Sequence, residues 1–209
     1  MGNCGFARLP AFHAAAYDQG VERTFMTQPH HVDAEIEPAD HPKRPSGLSV
    51  RTRNAMVFAG VALVWFVFDV LTKRFFNAYA VGEHIAGPFA NVFQFTLVHN
   101  TGAAWGMFGG STFALGMFAL VVCAVLMAYL FLFEPRAHWS CAVGVGMVVA
   151  GGVGNALDRF TLGYVVDFIE PVFIDFPVFN IADIGVTCGV VLVLVSMLVA
   201  LRKDEQEGR

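Results

Sequence analysis

Charge is what this sequence has least of. Only 14% of its 209 residues are Asp, Glu, Lys or Arg, while 56% are hydrophobic, and the mean hydropathy is +0.59. A soluble domain carries roughly one-quarter charged residues, so composition excludes an ordinary water-soluble globule. The deficit is local. Residues 1–54 hold six acidic and six basic side chains, whereas residues 111–133 hold none. Cysteine is also scarce: Cys4, Cys123, Cys141 and Cys188 form no C-x-x-C pair and no zinc spacing. Three of the four fall within apolar runs, where cysteine serves as a small apolar filler. A secretory signal peptide is missing too, because the first apolar run begins only after 50 residues and contains Asp69. That run reads as a retained helix.

What the chain does have is four apolar runs, at about residues 55–72, 112–133, 139–157 and 184–201. Each approaches the roughly 20 residues that a helix needs to cross a hydrocarbon core. A helix satisfies its own backbone in lipid, so the expected fold is an all-α membrane protein with four transmembrane helices. Lys43, Arg44, Arg51 and Arg53 precede the first run, Arg136 lies between the second and third, and Arg202 and Lys203 follow the fourth. By the positive-inside tendency, both termini are expected on the cytoplasmic side. The connections 75–110 and 160–182 then face outward. Residues 93–98 alternate apolar and polar, predicting a strand and hence a small extracytoplasmic β-like cradle. Gly82, Glu83, Gly87 and Pro88 suggest a hinged lid after the first helix.

Residues 1–53 contain five prolines and no periodic apolar face, predicting a disordered cytoplasmic extension. The opening MGNCGF matches a myristoylation start only in part, since Phe6 stands where Ser or Thr is wanted. His13, His30, His31 and His41 are scattered, and a lone His-His pair is a weak metal signal. A four-helix membrane domain over 54–203 and a short cytoplasmic tail over 204–209 complete the expected organisation.

The polar residues within and beside the apolar runs carry the chemistry. Asp69 and Lys73, four apart, share a helix face in the favourable acid-before-base order. The simplest reading is an interfacial ion pair with Lys73 snorkelling outward. Asn100-Thr101-Gly102-Ala103-Ala104-Trp105-Gly106 follows the expected strand, offering either a docking place for an extended peptide or a tight turn anchored by Trp105. In the third run, Gly151, Asn155 and Asp158 line one helix face, with Arg159 next to them. Helix packing accounts for the glycines but not for the three polar residues at one helix end. Asp167 reads singly as a loop charge, and Asp183 as a helix N-cap. Together they suggest two carboxylates able to converge and share a proton.

The ordered strings D-x-x-[ST]-K, N-x-G-A-A, G-x-x-x-N-x-x-D-R, V-V-D-F and F-N-x-A-D, spread over about residues 55–200, resemble the lipoprotein signal peptidase (signal peptidase II) family. The resemblance implies an aspartic endopeptidase with Asp167 and Asp183 as its catalytic dyad. It further implies supporting or substrate-binding roles for Asp69, Lys73, Asn100, Gly102, Gly151, Asn155, Asp158, Arg159, Asn180 and Ala182. The implied substrate is a bacterial prolipoprotein bearing diacylglycerol on its lipobox cysteine, cut on the N-terminal side of that cysteine. The implied setting is the bacterial inner membrane, with the site on the extracytoplasmic side. Membrane lipid is an expected partner; nucleic acid is not, no metal or cofactor is expected, and the protein is expected to be monomeric. Ile184 stands where the family often has Ser, which touches only a contact next to the dyad. The competing reading is a small transporter or proton-relay protein using the same acids. It would need polar residues through the membrane depth, and the second apolar run has none.

Overall fold

The computed structural model of the chain describes residues 48–102 and 110–208. The expectations for residues 1–47 of the N-terminal extension and for Ala103, Ala104, Trp105 and Gly106 lie outside the described residues. Helix α1 (Val50–Phe76) leads into strands β1 (His84–Phe89) and β2 (Phe93–Asn100). Helix α2 (Thr112–Ala128) continues as a π-helical turn, Tyr129–Phe133. Helix α3 (Trp139–Thr161), strand β3 (Val165–Pro171) and helix α4 (Ile181–Glu207) complete the chain. All four helices are long and apolar enough to cross a membrane.

The helices extend beyond the apolar runs. Helix α1 starts at Val50, with the Ser49 hydroxyl accepting from the Thr52 amide at 3.1 Å, so residues 50–53 are helical rather than part of an extension. Helix α4 runs through residues expected to form a separate tail. Apolar content marks only the lipid-facing section. Once nucleated, a helix continues into the polar interface because each added residue contributes another backbone hydrogen bond.

Helix α3 is the axis of the bundle and packs against each of the other three helices. Of its apolar window 72% is buried, against 6% for α1 and 17% each for α2 and α4. The sequence explains this inversion. Lipid competes equally for large apolar side chains, so helices associate where small residues allow close approach. A Cβ on Gly144 would stand 2.7 Å from the Gly189 carbonyl oxygen, and one on Gly189 would stand 2.6 Å from the Gly144 carbonyl oxygen. On another face, a Cβ on Gly152 would meet Cys123 Sγ at 2.6 Å. The large side chains of α1, α2 and α4 are left to face outward, as at Leu63, Phe118 and Leu198.

The three strands form one antiparallel sheet in the order β1-β2-β3. β2 was legible from its alternation; β3 falls in what read as an irregular connection. An irregularity in register between Phe95 and Val98 sets Val98 opposite Asp167 and Asn100 opposite Val165. The sheet is fixed to the bundle by an aromatic contact, Phe76 stacking on Phe168 with centroids 4.0 Å apart. After β3 the chain folds back. Phe179 donates to the Ile169 carbonyl at 3.0 Å and accepts from the Ile169 amide at 2.8 Å, which carries Asn180 and the start of α4 to the strand holding Asp167.

Candidate active site

Asn180 is the residue before α4, and its side-chain oxygen accepts the Asp183 amide at 3.0 Å. In return, Asp183 Oδ2 accepts the Asn180 amide at 3.1 Å. This is a reciprocal capping box. The cap is therefore Asn180, and Asp183 is the third helical residue rather than the cap itself. Only one of the Asp183 oxygens serves the box. The other, Oδ1, accepts from Asn155 Nδ2 at 2.8 Å.

Asp167 stands on β3, with a relative exposure of 2%. It is not a loop charge. Its Oδ1 accepts from Asn180 Nδ2 at 2.7 Å, and its Oδ2 accepts from Asn100 Nδ2 at 2.9 Å. Asn180 thus touches both aspartates, one through its amide nitrogen and the other through its amide oxygen and backbone. Burial, followed by the neighbouring Asp183 charge, pushes the Asp167 carboxyl up to about 7; the Asn100 and Asn180 amides and Lys73 pull the other way. Both carboxylates line one cavity of about 450 Å³, together with Asn100, Asn155 and Arg159.

Behind this cavity sits a second polar layer. Lys73 does not snorkel: it is 4% exposed, and Asp69 is fully buried. Its ammonium lies 2.9 Å from Asp69 Oδ2, 3.3 Å from Asp158 Oδ2 and 2.8 Å from Asn155 Oδ1. The expected ion pair is present, but it points into the bundle. A buried charge pair is tolerable only when its remaining atoms find hydrogen bonds. Asp69 Oδ1 accepts the Ala182 amide at 2.9 Å, and Asp158 Oδ2 accepts the Val166 amide at 3.2 Å. Two glycines of α3 make the space. A Cβ on Gly154 would collide with Asp69 Oδ2, and one on Gly151 would collide with the Ala182 carbonyl.

Arg159 ties the helix to the segment after β2. One guanidinium nitrogen donates to the Asn155 carbonyl and the other to the Gly102 carbonyl, each at 3.2 Å. The Gly102 amide donates to Asn100 Oδ1 at 2.9 Å. That fixes the Asn100 amide so that its nitrogen faces Asp167. Among the described residues, Asp69, Lys73, Asn100, Gly102, Asn155, Asp158, Arg159, Asn180, Asp167 and Asp183 accordingly join one connected cluster, with Gly151 and Ala182 packed against it.

A largely apolar wall of the cavity is formed by Val165, the 176–179 segment and Ile184, Thr187 and Cys188; of its α4 residues sequence reasoning named Ile184 as a contact next to the dyad and missed Thr187 and Cys188. Positions 184, 187 and 188 share a helix face with Asp183, so helical spacing could have found them. Cys188 is exposed along this wall, unlike the buried Cys123 and Cys141.

Fold and site define a multi-pass membrane protein with a polar, carboxylate-lined cavity at one end of a four-helix bundle. Residues 61–199 match the family described as signal peptidase (SPase) II. The chain is 36% identical over 148 residues to the lipoprotein signal peptidase of Nostoc punctiforme, covering 70% of this chain and 92% of that one. It is 38% identical over 139 residues to the lipoprotein signal peptidase of Microcystis aeruginosa, covering 65% and 88% respectively. A solved structure described as a bacterial membrane enzyme at 2.3 Å resolution superposes with a TM-score of 0.61 at 30% identity, covering 73% of this chain and 91% of that chain. The chain belongs to the lipoprotein signal peptidase (signal peptidase II) family. It is a peptidase, hence a hydrolase, and the transporter reading has no support among these relatives.

Proposed function

We propose that this protein is an aspartic endopeptidase that removes signal peptides from diacylglyceryl-modified prolipoproteins, with Asp167 and Asp183 as its dyad. The observation that carries this reading is the double bridge through Asn180, which holds both carboxylates on one cavity. Two such groups cannot both stay ionised in a dry site. The raised Asp167 carboxyl supports placing the shared proton there, leaving Asp183 as the base.

Asp183 takes a proton from water as the water oxygen attacks the scissile carbonyl carbon. Asp167 gives its proton to the carbonyl oxygen, forming a neutral tetrahedral diol. On collapse, Asp183 passes its proton to the departing amide nitrogen, and Asp167 recovers one from the diol hydroxyl as the carbonyl re-forms. The C–N bond breaks, water is consumed, and both carboxyls return to their starting states. Asn155 and Arg159 act as the substrate-orienting pair, with the remaining motif residues supporting them.

The same reading places cleavage N-terminal to the lipidated cysteine. Exposed positions of α4 at the cavity, Thr187 and Cys188, support lateral entry of a signal helix while the acyl chains stay in lipid. Both termini then lie in the cytoplasm, and the site faces outward from the bacterial inner membrane. The described residues 77–102 serve as lid and cradle, over a monomeric domain spanning about residues 54–203. Processing of a diacylglyceryl-modified prolipoprotein by purified Asp167→Asn and Asp183→Asn variants tests the dyad. Loss in both, with the fold retained, is expected; normal processing by either one sinks it.

A further inference from the structure

We propose that Trp65, which belongs to none of the recognisable motifs, is a positioning residue that holds the first turn of α4 and with it Asp183. The inference rests on the peptidase reading above. Trp65 lies one turn before Asp69 on α1, so the two side chains share a face. Its indole Nε1 donates to the Ile181 carbonyl at 3.1 Å. Asp69 Oδ1 accepts the amide of the very next residue, Ala182, at 2.9 Å. Helix α1 therefore grips two consecutive residues of α4, one by its C=O and the next by its N–H. Asp183 follows immediately.

The fit leaves no spare room. A Cβ on Gly185 would fall inside contact distance of Trp65 Nε1 and stand 2.8 and 2.9 Å from two further ring atoms. Only glycine at 185 lets the indole reach the Ile181 carbonyl. That carbonyl is also the i−4 acceptor for the Gly185 amide. The tryptophan is thus wedged against the turn between Ile181 and Gly185, on which Asp183 sits. Trp65 lies within a span, where an unpartnered indole N–H would be costly. The bond to Ile181 both satisfies it and sets the height of α4 relative to α1. Displacements of about 1 Å in a catalytic constellation can cost on the order of a hundredfold in rate.

The test uses the purified full-length protein and a diacylglyceryl-modified prolipoprotein. Trp65→Phe keeps an aromatic ring but deletes the N–H. A roughly tenfold fall in kcat with KM within about twofold is expected, since alignment rather than binding is affected. Asp183 also contributes to the rise of the Asp167 carboxyl. Its displacement should therefore move the basic limb of the pH profile to lower pH, which a purely structural role would not do. Gly185→Ala should be impaired as well, and Trp65→Ala/Gly185→Ala should exceed Gly185→Ala in kcat, because removing the indole vacates the space. A Trp65→Phe enzyme with normal kcat and pH profile overturns the inference. So does a change in KM alone, or a double variant no better than Gly185→Ala. Should Trp65→Phe fail to fold, benzothienylalanine at position 65 preserves the shape without the donor and is read the same way. Normal processing by Asp167→Asn would instead defeat the dyad itself, independently of Trp65.

Discussion

The Lys73 ammonium reaches across the bundle to the side-chain oxygen of Asn155, at 2.8 Å. This contact, with the Asn180 Nδ2 donation to the same oxygen at 3.1 Å, sets which way the Asn155 amide faces. With its oxygen occupied by Lys73, its nitrogen is left for Asp183 Oδ1. Lys73 thereby connects a buried charge cluster to the candidate dyad without touching either of its aspartates.

Removing that cation should be severe. Lys73→Met leaves Asp69 buried opposite no charge and removes one of the two donors to Asn155 Oδ1. Truncating one member of a buried ion pair costs about 3–5 kcal/mol. A loss of that order is expected in an unfolding titration in mixed micelles, and Asp69→Asn/Lys73→Met should lose less. Equal stability of the single variant and the parent would show that the charges are not desolvated as they stand here.

Much of this architecture was legible from the chain. Four apolar runs specified the four spans, because lipid crossing imposes a length and a composition together. The polar face of α3 was legible from i, i+4, i+7 spacing, and the strand β2 from alternation. The direction of Lys73 was not. Sequence spacing places Asp69 and Lys73 on one face but does not say whether that face meets lipid or protein. The answer lies in Gly154 of another helix, whose missing Cβ admits the Asp69 carboxylate. That Asp167 lies on a strand was not legible for a similar reason. Its strand is defined by partners about 70 residues earlier, in β2. The cap of α4 fell on Asn180 because two polar residues three positions apart compete for one role, and only the fold-back at Phe179 determines which of them reaches the helix start.

The acid pair should leave a signature in pH. Burial and the Asp183 charge push the Asp167 carboxyl up to about 7 from an ordinary 3.8. A folded-state value above the unfolded one means that its stabilising contribution is full below about 4 and lost as pH rises through about 7. The proton donor disappears over the same upper range, so processing should fall as pH rises past about 7. An infrared carboxyl titration of Asp183→Asn should place the Asp167 transition lower, since one of the two upward causes has gone. An unchanged transition would mean that burial alone sets it.

Two glycines on α3 should respond differently to the same substitution. Gly144→Ala puts a methyl group 2.7 Å from the Gly189 carbonyl oxygen and 2.9 Å from a Val193 methyl, in the apolar part of the α3–α4 seam. Overpacking of this kind costs about 1–3 kcal/mol. The folded fraction should nevertheless keep its kcat, because no group of the cavity is touched. Gly154→Ala instead displaces the Asp69 carboxylate, and through it the Ala182 amide at the start of α4. Its kcat should fall along with its stability. Equal kcat losses per folded molecule in the two variants would break the distinction.

Cys188 offers an independent check on the route into the cavity. Its thiol is exposed and lines the same wall as Ile184 and Thr187, whereas Cys123 and Cys141 are buried. Accessibility largely governs which cysteines a maleimide reaches. In a Cys4→Ser background, a bulky maleimide should label Cys188 and abolish processing, because the adduct fills space that the substrate needs. Adding Cys188→Ser should confer resistance, measured as the ratio of treated to untreated rate of that variant. A peptide mimicking the lipidated cleavage site should slow the labelling. Full labelling of Cys188 with undiminished processing would show that the substrate approaches the two aspartates from another side, and the lateral path along α4 would have to be abandoned.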